Sequence, residues 1–92
     1  MFVSCGAETA KNFSKQELTQ ALGALTDTDK FGTVLRAKGI VAGEGDAFIH
    51  FDYIPGEADV REGSAAIIGR LCVIGAGLDL AALSELFGVA LK

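Results

Sequence analysis

The sequence predicts a single α+β domain over residues 1–92, in which two helices pack on one face of a mostly antiparallel, ferredoxin-like sheet. Three observations lead to this fold class. A chain of 92 residues supports one hydrophobic core. Several short segments alternate apolar and polar residues between turns, which is typical of strands, and two segments repeat apolar residues at helical spacing. The predicted order of elements is β-α-β-β-β-β-α.

The first helix is predicted to begin at Ser14, because residues 14–17 have the pattern of a capping box. In that motif the Ser14 hydroxyl accepts a hydrogen bond from a backbone N–H, and the Glu17 carboxylate reaches back to the N-cap N–H. Apolar residues from Leu18 onward recur on one face, so this helix needs a sheet to cover its apolar stripe. Residues 26–29 are predicted to end it.

A hairpin is predicted from two alternating segments, residues 31–41 and 47–54, with a glycine-containing turn between them. Phe51 and Tyr53 fall on the side assigned to the helices, which argues against base stacking on the opposite face. The formal charge of −4 also makes phosphate backbones and anionic lipid unfavourable. We therefore expect no nucleic-acid partner and no membrane partner.

The second half of the chain predicts two more strands and a helix. Residues 58–61 are predicted as a short edge strand. Residues 65–75 are predicted as a longer strand, and the apolar run at 71–74 places it centrally with material above and below. Asp79 is predicted to cap a second helix, which ends before Gly88.

The two cysteines, Cys5 and Cys72, lack the spacing of a zinc site or a redox pair. Two thiols used as small core residues fit a reduced, cytoplasmic protein. The longest uncharged apolar stretch, residues 71–78, is far shorter than the roughly 20 residues of a membrane span. The strand-like start directly after Met1 is as compatible with a chain cut from a longer protein as with a complete one.

The most informative polar residues lie on the sheet face opposite the predicted helices. Arg36 and Lys38 lie on one hairpin strand, His50 and Asp52 lie on its partner, and Arg70 joins them if its strand points the same way, which would make a cationic patch. Two interpretations are open: an ordinary solvated face, or a docking face for an acidic partner surface or a neighbouring domain. The docking interpretation draws on apolar residues predicted to share the face: Val34, Ile40, Phe48 and Ile54.

Other chemistry is sparsely represented in the sequence. His50 and Asp52 are weak candidates for metal ligands, because no third ligand is evident. The glycine-containing turn at residues 75–77 precedes a helix N-terminus, where N–H groups bind anions, although a simple tight turn accounts for it without a ligand. The sequence has no G-x-x-x-x-G-K-[ST] phosphate loop and no second histidine to activate a cysteine, so no catalytic residue is predicted.

Five blocks, in this order along nearly the whole chain, carry a resemblance to a known family: RAKG at 36–39, FDYIPG at 51–56, GRLCVIG at 69–75, LD at 78–79 and LF at 86–87. They resemble the CobW C-terminal domain. That domain follows the nucleotide-binding domain in cobalamin-synthesis-type, CobW-like GTPases, which are regarded as metallochaperones. Some relatives carry a histidine-rich segment, and this chain departs from them because His50 is its only histidine.

The resemblance implies an accessory or regulatory domain that docks and does not catalyse by itself. GTP, Mg²⁺ and a transition metal would belong to the full-length protein, with no cofactor in this domain. The implied partners are the N-terminal GTPase domain and a metalloprotein or cofactor-assembly client, contacted through Arg36, Lys38 and Arg70. Two alternatives remain open: a stand-alone small protein that binds a metal or anion, and a self-associating sheet domain.

Overall fold

The computed structural model describes residues 2–92. Its elements in chain order are β1 (Val3–Thr9), α1 (Lys15–Ala24), α2 (Thr28–Phe31), β2 (Thr33–Ala42), β3 (Phe48–Ile54), β4 (Glu57–Gly63), β5 (Gly69–Ala76) and α3 (Leu80–Phe87). The five strands form one sheet in the order β1-β5-β2-β3-β4. Every neighbouring pair in that order is antiparallel, so the predicted α+β fold class is confirmed.

Helix α1 begins as the capping box predicts. The Ser14 hydroxyl accepts from the Glu17 N–H at 3.0 Å, and the Glu17 carboxylate accepts from the Ser14 N–H at 3.4 Å. The prediction that residues 26–29 only end this helix is wrong, because Asp27 starts a second helix, α2, by accepting from the Lys30 N–H at 3.3 Å. Aspartate is common both in turns and at helix N-caps. Here Asp27 acts as an N-cap, because the short helix that follows buries Phe31 in the core.

All three helices lie against one face of the sheet and enclose a single core. Leu18 and Leu22 of α1 and Leu83 of α3 are completely buried, and the strands meet them with alternate residues. Phe51 and Tyr53 lie on this covered face, as predicted. The core also contains Cys5, Phe13, Ala21, Leu25, Phe31, Val34, Ala37, Val41, Ile49, Leu71, Val73, Phe87 and Leu91.

A β-bulge in β2 corrects one predicted face assignment. The pairing of β2 with β5 shifts register between Val34 and Arg36. Simple alternation places Val34 on the polar face, but the extra residue lets both Val34 and Ala37 point into the core. Val34 is 3% exposed, whereas Leu35 is 37% exposed, so Leu35 and not Val34 is the outward apolar residue.

Strand β5 is shorter than predicted, beginning at Gly69 and not at residue 65. Residues 64–68 instead form an irregular segment beside the sheet, which we call the 64–68 segment. The strand does lie between two others, as predicted, but the helices lie on only one of its faces. Cys72 is therefore half-buried on the other face and is not a core residue, in contrast to Cys5.

The two edges of the sheet are protected in different ways. Strand β4 is an edge strand, as predicted around Val60, and charged side chains such as Asp59 and Arg61 discourage pairing along it. At the other edge, the backbone N–H and C=O of Gly6 each bond the backbone of Lys92 at 3.1 Å.

Among residues 2–92, no helix combines the length and apolar character needed to cross a bilayer.

Candidate functional site

The sheet face opposite the helices, which we call the open face, brings residues from all five strands into rows. The antiparallel registers align one row as Glu8, Arg70, Ile40, His50 and Arg61. The neighbouring row is Gly6, Cys72, Lys38, Asp52 and Asp59. Polar and apolar side chains are therefore mixed on a surface that the helices leave uncovered.

The five residues predicted for docking all lie on the open face: Arg36, Lys38, His50, Asp52 and Arg70. Their role in docking stays a prediction. Sequence reasoning missed Arg61 and Glu8. Arg61 lies in a strand that was too short for a face to be assigned, and Glu8 reaches Arg70 only because β1 pairs with β5 across a long stretch of sequence.

Charges on the open face form pairs, so the predicted cationic patch is in fact of mixed sign. The Asp52 carboxylate lies 3.5 Å from Arg36 and 3.3 Å from Arg61, and Arg61 also contacts Asp59. The side chains of these four residues are 42% to 65% exposed. Exposed pairs of this kind contribute about 0 to 1 kcal/mol each, so they orient the side chains more than they stabilise the fold.

Two cations of the open face, Lys38 and Arg70, are much less neutralised by nearby carboxylates than Arg36 and Arg61 are. The Arg70 Nε lies 3.8 Å from the Glu8 carboxylate, and the Arg70 side chain is 74% exposed. Lys38 is exposed, and its ammonium has no carboxylate within 4.0 Å among residues 2–92. On the open face, the positive charge that is available to a partner is thus concentrated on Lys38 and Arg70.

A groove of about 980 Å³ runs along the open face beside the 64–68 segment. Lys38, Arg70 and Cys72 are among its lining residues, and Ile40 and Ile67 add apolar surface. The Ile67 side chain is as exposed as in an extended chain, at 104% relative accessibility. A large aliphatic side chain is thus presented to solvent on the wall of a charged groove.

His50 holds the start of that wall in place. Its Nε2 lies 2.9 Å from the Ser64 carbonyl oxygen, so this nitrogen is the protonated one and donates the hydrogen bond. The imidazole packs against Gly63, where an added Cβ would lie only 2.5 Å from two ring atoms. Glycine at position 63 therefore leaves the space beside β4 that the ring occupies.

The weak metal candidates have other partners in this arrangement. His50 bonds Ser64, and the Asp52 carboxylate is shared between Arg36 and Arg61. Within the described part of the chain, no three His, Cys, Asp or Glu side chains are grouped so that they could hold a metal ion. Metal binding by His50 and Asp52 has no third ligand to support it.

The turn at residues 75–77 has a packing role. The Asp79 carboxylate caps α3 by accepting from the Ala82 N–H at 3.0 Å, so a protein carboxylate already occupies the anion position. The Asp79 N–H donates to the Phe31 carbonyl at 3.1 Å. At Gly32 an added Cβ would lie 2.2 Å from the Gly77 oxygen, which shows how closely the two loops approach.

The buried titratable groups lie on the covered face. Burial raises the pKa of the Cys5 thiol, and the neighbouring Cys72 raises it further. Burial also raises the pKa of the Tyr53 hydroxyl. Both groups are therefore kept neutral, and neither is activated as a nucleophile.

Comparison with known proteins identifies the family. The sequence matches the family described as "Cobalamin synthesis protein cobW C-terminal domain" over residues 2–91. No curated protein sequence matches the chain. Among solved structures, Zn(II)-bound YjiA GTPase from E. coli superposes with a TM-score of 0.73 at 15% identity, covering 95% of this chain and 29% of that one.

A Zn(II)-bound triple mutant of YjiA GTPase gives a TM-score of 0.76, with the same 15% identity and the same coverages. At this identity the likeness shows a shared fold, and the chain spans 29% of the length of these structures. The family match covers nearly every residue that builds the sheet and the helices. The chain belongs to the CobW C-terminal domain family, which is found in CobW-like GTPases.

Proposed function

We propose that this chain is the C-terminal accessory and regulatory domain of a CobW-like, GTP-dependent metallochaperone. In this proposal the open face docks either the GTPase domain of the same protein or a client protein. The observation that carries it is a five-stranded sheet with three helices on one face and a charged groove on the other. A face of this kind is available to another domain.

The composition of the open face supports docking. Ile40, Ile54 and Ile67 are exposed among fixed charges, which is the mixture found in interfaces that form between separately folded domains. The surface is also preorganised, because the sheet fixes the backbone and ion pairs hold Asp52 and Arg61 in place. Preorganisation lowers the entropy that is lost when a partner binds.

We assign no catalysis to the domain. GTP, Mg²⁺ and a transition metal for cobalamin synthesis or metal insertion would be handled by the GTPase domain, and this domain would respond through docking. Support for this division comes from the sequence, which has no phosphate loop, and from buried thiol and phenol groups that are kept neutral. We place the protein in the cytoplasm, where free thiols such as Cys5 and Cys72 persist.

The first test is genetic. The coding sequence that adjoins the Met1 codon is expected to continue in frame into a GTPase domain with a G-x-x-x-x-G-K-[ST] loop. A stop codon immediately upstream, with no CobW-like GTPase gene in the same genome, would contradict the proposal.

The second test measures docking directly. The GTPase domain of that protein is titrated with the 92-residue chain by calorimetry, once loaded with GDP and once with a non-hydrolysable GTP analogue. We expect binding in at least one state, weakened about tenfold by Arg36→Glu with Lys38→Glu. The matched control is Lys15→Glu with Lys30→Glu, which makes the same change in net charge on the helix side. Equal effects of the two double variants would show that the open face does not dock this domain.

A further inference from the structure

We propose that the groove of the open face binds an acidic polypeptide segment that carries an aliphatic side chain. The inference rests on the proposed docking function and names the chemistry of the partner. It assigns the carboxylates of the segment to Lys38 and Arg70, and its aliphatic side chain to Ile40 and Ile67.

The first step is charge complementarity. The groove is lined by three basic residues, Lys38, Arg61 and Arg70, and by two acidic ones, Glu8 and Asp52. The chain as a whole carries a formal charge of −4, so the groove has an excess of positive charge on an acidic protein. Because Asp52 is already bound by Arg61 and Arg36, it leaves Lys38 unpaired. An acidic segment is therefore attracted to this groove.

The second step is the spacing of the two cations. Lys38 of β2 pairs with Cys72 of β5, and Arg70 of β5 pairs with Ile40 of β2. Lys38 and Arg70 are thus diagonal neighbours, whose Cα atoms lie roughly 7 to 8 Å apart in an antiparallel sheet. Two carboxylates on alternate residues of an extended segment are separated by about 7 Å. One extended segment is therefore able to meet both cations.

The third step is the apolar surface between and beside the charges. Ile40 lies in the row between Arg70 and His50, and Ile67 projects from the wall of the groove. Both are exposed, and Ile67 is fully so. An aliphatic side chain of the bound segment would remove this surface from water, which adds affinity that charge pairs in solvent do not supply.

The same geometry disfavours a nucleic acid in the groove. A phosphate backbone in the groove would meet the carboxylates of Glu8 and Asp52 as well as the cations of Lys38 and Arg70. Phe51 and Tyr53 of β3 are buried on the other face, and Phe48 of β3 does not line the groove, so the groove offers no exposed aromatic ring for stacking. A peptide can place its carboxylates selectively, whereas a phosphate chain carries charge at every repeat.

The test is a selection of random peptides displayed on phage against the 92-residue chain. We expect enrichment of sequences with acidic residues at alternate positions and at least one Leu, Ile or Val. The same selection against Lys38→Glu with Arg70→Glu is expected to lose these sequences. The matched control, Lys15→Glu with Lys30→Glu, has the same net charge and is expected to retain them. Enrichment of basic or wholly apolar peptides would overturn the proposal.

One enriched peptide, labelled with fluorescein, then gives the magnitudes. Lys38→Glu with Arg70→Glu is expected to raise its Kd about tenfold or more, and 0.5 M salt is expected to weaken wild-type binding as well. Ile67→Ser tests the apolar contact without risk to the fold, because Ile67 buries nothing in the free chain. It is expected to raise the Kd severalfold, while Leu80→Ser on α3 leaves it unchanged.

Other occupants would be recognised by their own results. Competition by inorganic phosphate at the same concentration as peptide would identify a small-anion site and overturn the proposal. A concentration-dependent dimer that Lys38→Glu with Arg70→Glu abolishes would show that a second copy fills the groove, and would overturn it as well.

The outcome is separable from that of the proposed function. If the GTPase domain binds the chain and these variants leave that binding unchanged, the docking function stands and the acidic-segment proposal fails. If acidic peptides bind in the groove and the GTPase domain does not bind at all, the reverse holds.

Discussion

The two faces of the sheet come from the same strands and differ in almost every physical property. On the covered face, Phe51 and Tyr53 of β3 are 1% and 2% exposed and pack under the helices. On the open face, Asp52 and Ile54 of the same strand are solvated, and Asp52 takes part in ion pairs. Because successive side chains of a strand point to opposite faces, one stretch of sequence encodes both surfaces.

The difference separates stability from recognition. Burial of apolar area contributes the larger part of folding free energy, and this burial is concentrated on the covered face. Exposed ion pairs such as that of Arg36 with Asp52 contribute little. The open face can therefore change its residues at small cost to the fold, which is the condition for a surface that is adapted to a partner.

Phe51→Ala, on the covered face, is expected to cause the largest loss of stability. Phe51 is 1% exposed, and its ring lies 6.4 Å from that of Phe87. Truncation leaves a cavity in the core and is expected to lower the free energy of unfolding by about 3 to 5 kcal/mol, measured by urea denaturation. Ile54→Ala on the same strand is the control, since Ile54 is 48% exposed and its loss is expected to cost less than about 1 kcal/mol. Similar losses for both would contradict the assignment of the two faces.

Gly39→Ala tests how closely the strands pack on the covered face. An added Cβ would lie 2.6 Å from the Arg70 carbonyl oxygen and 2.6 Å from a ring carbon of Phe51. Because the backbone cannot yield, a loss of about 1 to 3 kcal/mol is expected in the same assay. Gly23→Ala has nothing within 4 Å of the new Cβ and lies in α1, so it is expected to stabilise by about 0.5 to 1 kcal/mol. A neutral Gly39→Ala would mean that the Arg70 carbonyl and the Phe51 ring lie farther from Gly39 than described.

Alkaline pH tests the covered face through its two buried acidic groups, the Cys5 thiol and the Tyr53 hydroxyl. Burial raises the folded-state pKa of Cys5 and Tyr53 above the values in an unfolded chain. Their contribution to the free energy of unfolding is fully present below the pKa values of the unfolded chain, roughly 8.5 for Cys and 10 for Tyr. It is lost as the pH rises above those values. The urea midpoint of the wild type is expected to fall between pH 8 and pH 11.

The control for the alkaline titration is Cys5→Ala with Tyr53→Phe. Its midpoint, normalised to its own value at pH 7, is expected to fall less, because both titrating groups are gone while the lysines remain. Identical pH profiles for the two proteins would show that neither group is held neutral by the fold.

Asp52→Asn gives the smallest expected effect. Its carboxylate contacts Arg36 and Arg61, and all three side chains are between 42% and 55% exposed. Solvent screens these pairs, so the expected loss is less than about 1 kcal/mol and smaller still in 1 M salt. Denaturation at low and high salt measures it. A loss above 2 kcal/mol that persists in salt would mean that the open face carries part of the folding free energy.

Local patterns in the sequence predicted the structural features that depend on neighbouring residues, such as helix caps and the face of a strand residue. The capping box at Ser14, the cap at Asp79 and the left-handed Gly88 that ends α3 each depend on residues within one turn of helix. Alternation along β3 placed Phe51 and Asp52 on their faces for the same reason. Arg36, Lys38, His50 and Asp52 could be assigned to one face in advance because they alternate on two strands that are adjacent in the sequence, whereas Arg70 on the distant β5 could be added only on condition that its strand points the same way.

Pairing between distant segments could not be predicted in this way. The bulge between Val34 and Arg36 arises from register with β5, and the meeting of Glu8 with Arg70 arises from β1 pairing with β5. The 64–68 segment has strand-like residues, yet it pairs with no strand and forms the wall of the groove instead.

The fold class, the helix caps and the face of most strand residues could therefore be predicted, because short-range geometry and the hydrophobic period specify them. The order of the strands in the sheet could not be predicted in this way, and the pairing of charges and the position of the groove depend on that order. The free energy of pairing distant strands includes the entropy of closing long loops and the burial of a shared core. It cannot be read from a short window of residues. Lys38 and Arg70 are left available to a partner as a result of this arrangement.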